Sequence, residues 1–239
     1  MKIVVAGIGG NQGKSTLSAH MLVPRMNNAK LLVVESINQD SREMVESSSS
    51  VRGEEFKKIY LEMVKNDDLV VDVGASNAEA FFEGLASFDN GYDEVDLFVI
   101  PVVSGAKEQA ESILTAKTLL AMGVDKKKVV VVFNRVKRSV QEEFPEVLHA
   151  AEVLGFIADP RCMVFENDIY ADLIDLKLNL QSACDDVAIR VDEIKLDIRR
   201  FSSDLDMYQT LVRKLNVAKK AVSTVNQLDD AFSILYGAT

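Results

Sequence analysis

Four of the twelve glycines fall within seven residues near the start of the chain. They lie in Met1-Lys2-Ile3-Val4-Val5-Ala6-Gly7-Ile8-Gly9-Gly10-Asn11-Gln12-Gly13-Lys14-Ser15-Thr16. This stretch reads as a buried strand, a glycine loop, and Lys14-Ser15-Thr16 opening a helix whose periodicity continues through Leu22. That order restricts the fold to an α/β domain with a phosphate cradle. Glycines let backbone N–H groups turn inward, and the helix start adds partial positive charge. Lys14 adds a full charge, and Ser15 a hydroxyl for Mg²⁺. The loop departs from G-x-x-x-x-G-K-[ST] in one place: Ile8 stands five residues before Gly13, and Gly7 is one position early.

Strand-like apolar runs then alternate with helical ones. Strands are expected at Ile3–Ala6, Leu31–Glu35, Leu69–Val73, Leu97–Val102, Val129–Phe133 and, briefly, Phe156–Ile157. Helices are expected at Ser15–Met26 (distorted near Pro24), Val51–Lys65, Ala78–Phe88, Glu108–Met122 and Val140–Leu154, with Gly123 and Gly155 as caps. The polar stretch Ser36–Ser50, ending in four serines, reads as a mobile loop. Such alternation gives a mostly parallel sheet with helices on both faces. The continuous Val/Ile/Leu runs fit strands buried on both sides.

From Gln181 onward there is no strand signal. Val187, Val191, Ile194, Ile198, Phe201, Leu205, Tyr208, Val212 and Leu215 follow a four–three alternation, a heptad seam. Two geometries are open: one long helix, or a hairpin whose second helix starts at Ser202-Ser203-Asp204. The seam serves docking on the domain, self-association or partner binding. The expected organisation is a nucleotide domain over 1–180 and a helical extension over 181–239.

The net charge of −10 argues against broad, non-specific nucleic-acid affinity. Any DNA contact is therefore expected to be local, at clusters such as Lys126-Lys127-Lys128 or Arg213-Lys214, or made through a partner. Cys162 and Cys184 have no metal-ligand spacing and read as free thiols of a reducing cytosol. Neither a leader nor a membrane span is read in the sequence, so the expected location is cytoplasmic.

In open parallel sheets ligands sit at the C-terminal strand ends, and the polar residues of note fall there: the loop, Glu35, Asp72 and Asn134. Asp72 closes an apolar strand, where a carboxylate holds Mg²⁺ through water opposite Ser15. Gly74 gives the next loop room near a γ-phosphate. Asn134 has an amide that both donates and accepts, so it can read an adenine edge. A guanine reader here would be Asn-Lys-x-Asp. The chain has Asn134-Arg135-Val136-Lys137, which favours ATP over GTP. His20 and His149 lack neighbours that would make them catalytic, and no nucleophilic triad or zinc spacing is present.

At these residues the chain resembles the ParA/MinD superfamily of deviant phosphate-loop ATPases, in particular its StbB-type plasmid stability and transfer proteins. The likeness is carried by Gly9-Gly10-Asn11-Gln12-Gly13-Lys14-Ser15-Thr16, Val33-Val34-Glu35-Ser36-Ile37-Asn38, Val71-Asp72-Val73-Gly74-Ala75-Ser76-Asn77, Phe133-Asn134-Arg135 and Ala158-Asp159-Pro160-Arg161. The resemblance implies an ATP-controlled homodimer with a plasmid-encoded DNA-binding or transfer partner. It also implies roles: Lys14 on the β/γ-phosphates, Ser15 on the metal, Thr16 on the α-phosphate, Asp72 on metal-bound water, and Asn134 on the base. Arg135 and the late loop at Pro160 fall beside the nucleotide. Two positions depart. The family's signature lysine, which reaches across the dimer, falls at Gly9. Its water-orienting aspartate falls at Ile37, leaving Asp40, or Asn38 through its amide, to take that role in a shifted loop. ATP or ADP binding with Mg²⁺ is thus expected, with hydrolysis slow or partner-dependent.

Two other functions are compatible with the sequence. One is a small-molecule kinase or ligase on the same fold, with Asn77, Glu79 and Lys107 as candidate substrate contacts. The other is an adaptor that binds nucleotide weakly and works through its C-terminal helices.

Overall fold

The structure, a computed structural model, describes residues 1–27, 29–35, 48–51, 55–88 and 91–237. Ile37, Asn38 and Asp40 lie outside these residues. Strands β1 (Lys2–Val5), β2 (Lys30–Val34), β3 (Ser48–Val51), β4 (Leu69–Val73), β5 (Leu97–Val102), β6 (Val129–Val136) and β7 (Met163–Phe165) form one sheet. Its order is β3-β2-β4-β1-β5-β6-β7, and every adjacent pair is parallel. Strand β1 is central. The chain leaves it for β2, two places away, returns to β4 at its side, then crosses to β5 on the other flank. The strand order therefore reverses beside β1, which opens a crevice at its C-terminal end.

Burial explains the strands. Every residue of β4 and β5 is buried, so both faces of the sheet centre are covered. Four consecutive valines start β6, where branched side chains fit the pleat. Helix α1 (Lys14–Leu17) continues into a π turn (Ser18–Leu22) and a 3-10 turn (Val23–Arg25). The cause is Pro24, which has no N–H to give the His20 carbonyl. The Arg25 guanidinium donates there instead, at 2.8 Å, and to the Met21 carbonyl at 3.1 Å. Helix α2 (Phe56–Lys65) starts later than the expected Val51, which belongs to β3, whereas α3 (Ala78–Ser87) and α4 (Ala106–Ala121) follow as expected to within a few residues at each end.

Three local expectations are corrected. The serine run is not wholly loop: Ser48–Val51 is the edge strand β3, paired with β2. An edge strand makes its backbone ladder without needing an apolar side-chain run. The expected helix 140–154 is two helices, α5 (Val140–Glu143) and α6 (Pro145–Leu154). Phe144 precedes a proline and leaves the helical region, at φ −129° and ψ 40°. The last strand lies later than expected. Ile157 makes one bridge to Val130, the chain turns at Asp159–Cys162 around Pro160, and pairing resumes in β7. The expected caps are found: Gly123 and Gly155 adopt φ of +95° and +83°.

Phe133 on β6 is fully buried and meets Phe144 edge-on at 5.0 Å. Phe133→Ala is expected to cost about 3–5 kcal/mol, since it opens a cavity beneath the strand that carries Asn134. Urea denaturation measures this.

The described chain divides into two compact units, Met1–Glu166 with Asp230–Thr239, and Asn167–Asp229. The second contains α7 (Ile169–Asp175), the single turn α8 (Leu180–Ser182), α9 (Val191–Arg200) and most of α10 (Leu205–Tyr236). The heptad seam is a hairpin. Asp204 caps α10, its Oδ1 accepting from the Met207 N–H at 3.1 Å. Ile194 then packs with Leu211 and Ala218, flanked by Val187, Val191, Ile198, Phe201 and Leu215. Reversal of the chain shifts the face on α10, so Leu205 and Val212 of the expected seam stay exposed. Among the described residues no helix is long and apolar enough to cross a membrane.

Candidate functional site

The loop joining β1 to α1 owes its shape to two residues in the left-handed region, Asn11 at φ 57° and Gly13 at φ 85°. Gly13 is the position before α1, and no side chain caps that helix start. A Cβ on Gly13 would lie 2.2 Å from Nδ2 of Asn134, so only glycine admits this approach. Asn134, inside β6, which runs on to Val136 past the expected strand end, donates from Nδ2 to the Gln12 carbonyl at 2.9 Å. Its Oδ1 accepts from the Arg135 N–H at 3.0 Å, at an irregularity of β6 where Arg135 takes φ 55°.

Lys14 is 7% exposed and folds back over the loop. Its Nζ donates to the Gly9 carbonyl at 2.6 Å and the Gly7 carbonyl at 3.2 Å. Burial pushes its pKa down, and the carboxylates of Asp72, Glu111 and Glu35 pull it back up. Asp72 is 2% exposed, in register with Val5 of β1 and Val33 of β2. Neither of its carboxyl oxygens has a hydrogen-bond partner of ordinary geometry among the described residues. Burial raises its pKa to about 6, an effect tempered by nearby Ser15 and Lys14 and reinforced by Glu35. A buried carboxylate without donors costs free energy unless a cation reaches it. With the Ser15 hydroxyl beside it, the donor set is all oxygen and suits a hydrated Mg²⁺. Among the described residues there is no cluster of three or more His, Cys, Asp or Glu side chains that would form an all-protein metal cage.

Helix α4 anchors the loop, a contact that no local pattern announces. Gln12 is fully buried, its Nε2 donating to the Glu108 carbonyl at 3.2 Å and its Oε1 accepting from Ser112 Oγ at 3.4 Å. The Ile8 N–H donates to Thr115 Oγ1 at 3.2 Å. Gln12 therefore faces the protein through its side chain and, through Asn134, its carbonyl, leaving its backbone N–H for a ligand. A Cβ on Gly9 would lie 2.2 Å from Nε2 of Gln12 and 2.5 Å from Oε2 of Glu111. The readable signal was the buried polar set Gln109, Ser112 and Thr115 at threefold spacing on α4.

The structure thus gathers Gly9, Gln12, Gly13, Lys14, Ser15, Asp72 and Asn134. Gly10 has open space where a Cβ would stand, and Thr16 is half-buried in the first turn of α1. Pro160 stands in the turn between Ile157, bridged to Val130, and Met163, paired with Phe133. No hydrogen bond or ion pair described for Asp159–Cys162 reaches the loop. Asp40 lies outside the described residues. Of the substrate-contact candidates, Lys107 pairs with Glu111 at 3.6 Å, and Asn77 is buried with Nδ2 on Ser76 Oγ at 3.1 Å. Burial drives His20 down to about 4, so it stays neutral inside the helix.

The sequence matches no family model, and no curated protein matches it. Two solved structures from Aquifex aeolicus are similar. One is the MinD cell division protein, with TM-score 0.50 and 14% identity over 93% of this chain and 97% of that one. The other is the MinC:MinD cell division complex, with TM-score 0.52 and 14% identity over 93% and 96%. At this identity the likeness establishes the architecture. The fold is a phosphate-loop α/β domain with a parallel sheet, flanking helices and a long C-terminal helix.

Proposed function

We propose that this chain is a ParA/MinD-like, ATP-binding switch. The observation that carries the reading is Asp72: a buried carboxylate beside the Ser15 hydroxyl, without a hydrogen bond of ordinary geometry among the described residues, at a loop that already encloses an ammonium group. Bound there, Mg²⁺ supplies charge neutralisation to the β- and γ-phosphate oxygens. Lys14 exchanges the carbonyls of Gly7 and Gly9 for phosphate oxygens. Ser15 offers its hydroxyl to the metal, Asp72 orders the metal's water, and Thr16 takes the α-phosphate. Gly10, Asn11 and Gly13 line the phosphates with backbone N–H groups. Asn134 tethers the loop through the Gln12 carbonyl and turns its remaining N–H toward an adenine edge, with Arg135 and Pro160 nearer the base.

Hydrolysis is slow without a partner in this reading, because Gly9 carries no cation for the transferring phosphoryl group. Asp40 is the proposed water-orienting residue. The nucleotide work belongs to residues 1–180, and residues 181–239 contact the partner. A second copy joins when ATP is bound. The further partner is a plasmid-encoded DNA-binding or transfer protein, in stability, partitioning or conjugation, within the cytoplasm. The chain's net charge of −10 supports a DNA contact that is local or indirect.

Light scattering with and without ATP and Mg²⁺ tests the switch. A monomer that doubles in mass only with both present is the expected result. A mass that ignores nucleotide would overturn the dimerisation step.

A further inference from the structure

We infer that Glu111 is a specificity-determining residue of the phosphate loop: its carboxylate stands against Gly9 and repels the phosphate tail, so the loop selects metal-neutralised nucleotide over the free anion. The inference rests on the nucleotide-binding reading above.

The geometry puts the Glu111 carboxylate beside the loop. Its Oε2 comes within 2.5 Å of the point a Gly9 Cβ would occupy, and the Gly9 carbonyl is itself 2.6 Å from the Lys14 ammonium. The carboxylate therefore lies against Gly9, on the side where the Gln12 amide also stands, and close enough to Lys14 for its charge to act on the ammonium. The backbone that carries it is held. Thr115 Oγ1 donates to the Glu111 carbonyl at 2.9 Å and accepts from the Ile8 N–H at 3.2 Å. Gln12 ties the other end of the loop to the Glu108 carbonyl, one turn earlier on α4. Helix and loop thus form one hydrogen-bonded piece with the acid between them. The cation paired with it is Lys107, at 3.6 Å and with a side chain 80% exposed, so this neutralisation is weak and screened.

The charge balance around Lys14 points the same way. Asp72, Glu111 and Glu35 all act on the one ammonium. Among the described residues, a bare triphosphate would feel the charges of Asp72, Glu111 and Glu35 set against that of Lys14. A bound metal offsets Asp72 and the phosphates together, and the remaining repulsion from Glu111 is then small. A carboxylate that faces a phosphate across the Gly9 backbone costs on the order of tenfold in affinity for the metal-free anion. Sequence reading had no access to this contact, because Glu111 lies on a helix far from the loop in the chain.

Calorimetric titration of the full chain with ATP, once with Mg²⁺ and once with EDTA, tests the inference in native protein, Glu111→Gln and Glu111→Asp. Glu111→Gln is expected to tighten metal-free ATP by about tenfold while changing Mg²⁺-ATP by no more than about threefold. Glu111→Asp, which keeps the charge, is expected to retain most of the native difference between the two forms. Both variants are checked by thermal melting, and Glu111→Asp decides the matter if Glu111→Gln unfolds: loss of the native difference there would overturn the inference. A Glu111→Gln protein with the native difference intact overturns the inference and leaves nucleotide binding standing. Absence of binding by native chain and variants alike overturns both.

Discussion

Lys14→Ala is expected to abolish measurable ATP binding, a loss of at least about a hundredfold, because no other side chain among the described residues puts a cation inside the loop. The Lys14 ammonium is 7% exposed and held by the carbonyls of Gly9 and Gly7. It is thus already aimed at the position where phosphate oxygens would replace those carbonyls. The variant has a second consequence that separates this account from a generic charge effect. Lys14 is one of the groups holding the Asp72 carboxyl down against burial. Without it, Asp72 is expected to titrate at higher pH still, while Gly7 and Gly9 lose a charged donor worth about 1.5–3 kcal/mol. A fluorescent nucleotide analogue measures the binding loss, and the pH dependence of unfolding measures the Asp72 effect. Native-like affinity in Lys14→Ala would mean that nucleotide, if bound, does not use this loop.

The second large effect is expected at Asp72. Its folded pKa is raised from 3.8 to about 6, chiefly by burial. The stability it contributes is therefore fully present below the unfolded value, near pH 4, and is lost as pH rises through about 6. At pH 7 the empty protein carries an ionised, buried carboxylate whose oxygens lack donors among the described residues. Asp72→Asn keeps the shape and removes the charge. It is expected to stabilise the nucleotide-free chain by about 2 kcal/mol at pH 7, and by progressively less toward pH 4. The same variant is expected to lose about a hundredfold or more of the gain in ATP affinity that Mg²⁺ provides. Native protein should lose that gain below pH 6, as Asp72 takes up its proton. Urea denaturation at pH 4 and 7, with titrations across the same range, reads both effects. A variant that is less stable and still responds to Mg²⁺ would remove Asp72 from the metal site. The opposition between stability and binding is the pattern expected of a functional acid held in place by its fold.

The parts of the fold that the sequence made legible are those set by short-range pattern. The run from Ile3 to Thr16 could be read because strand, glycine turn and helix start are contiguous. The valines of β6 and the buried run of β4 declared their strands through period and branching. The features that escaped reading depend on distant partners. Gln12 sits in the loop, yet its side chain turns into α4, a direction no local pattern encodes. The edge strand β3 needs β2 beside it, which a serine run does not announce. The turn at Pro160 delays the last strand, and Pro145 splits a helix whose apolar spacing looked continuous. The C-terminal seam had the right period, but the reversal between α9 and α10 moved the buried face from Val212 to Leu211 and Ala218.

The central claim is that the loop between β1 and α1, with Lys14 and Asp72, is a metal-dependent nucleotide site. Isothermal titration of the native chain with ATP at pH 7, in Mg²⁺ and then in EDTA, tests it most directly. The account predicts saturable binding of one nucleotide per chain that weakens sharply when the metal is removed. No heat in either buffer, or binding of equal strength in both, would contradict it.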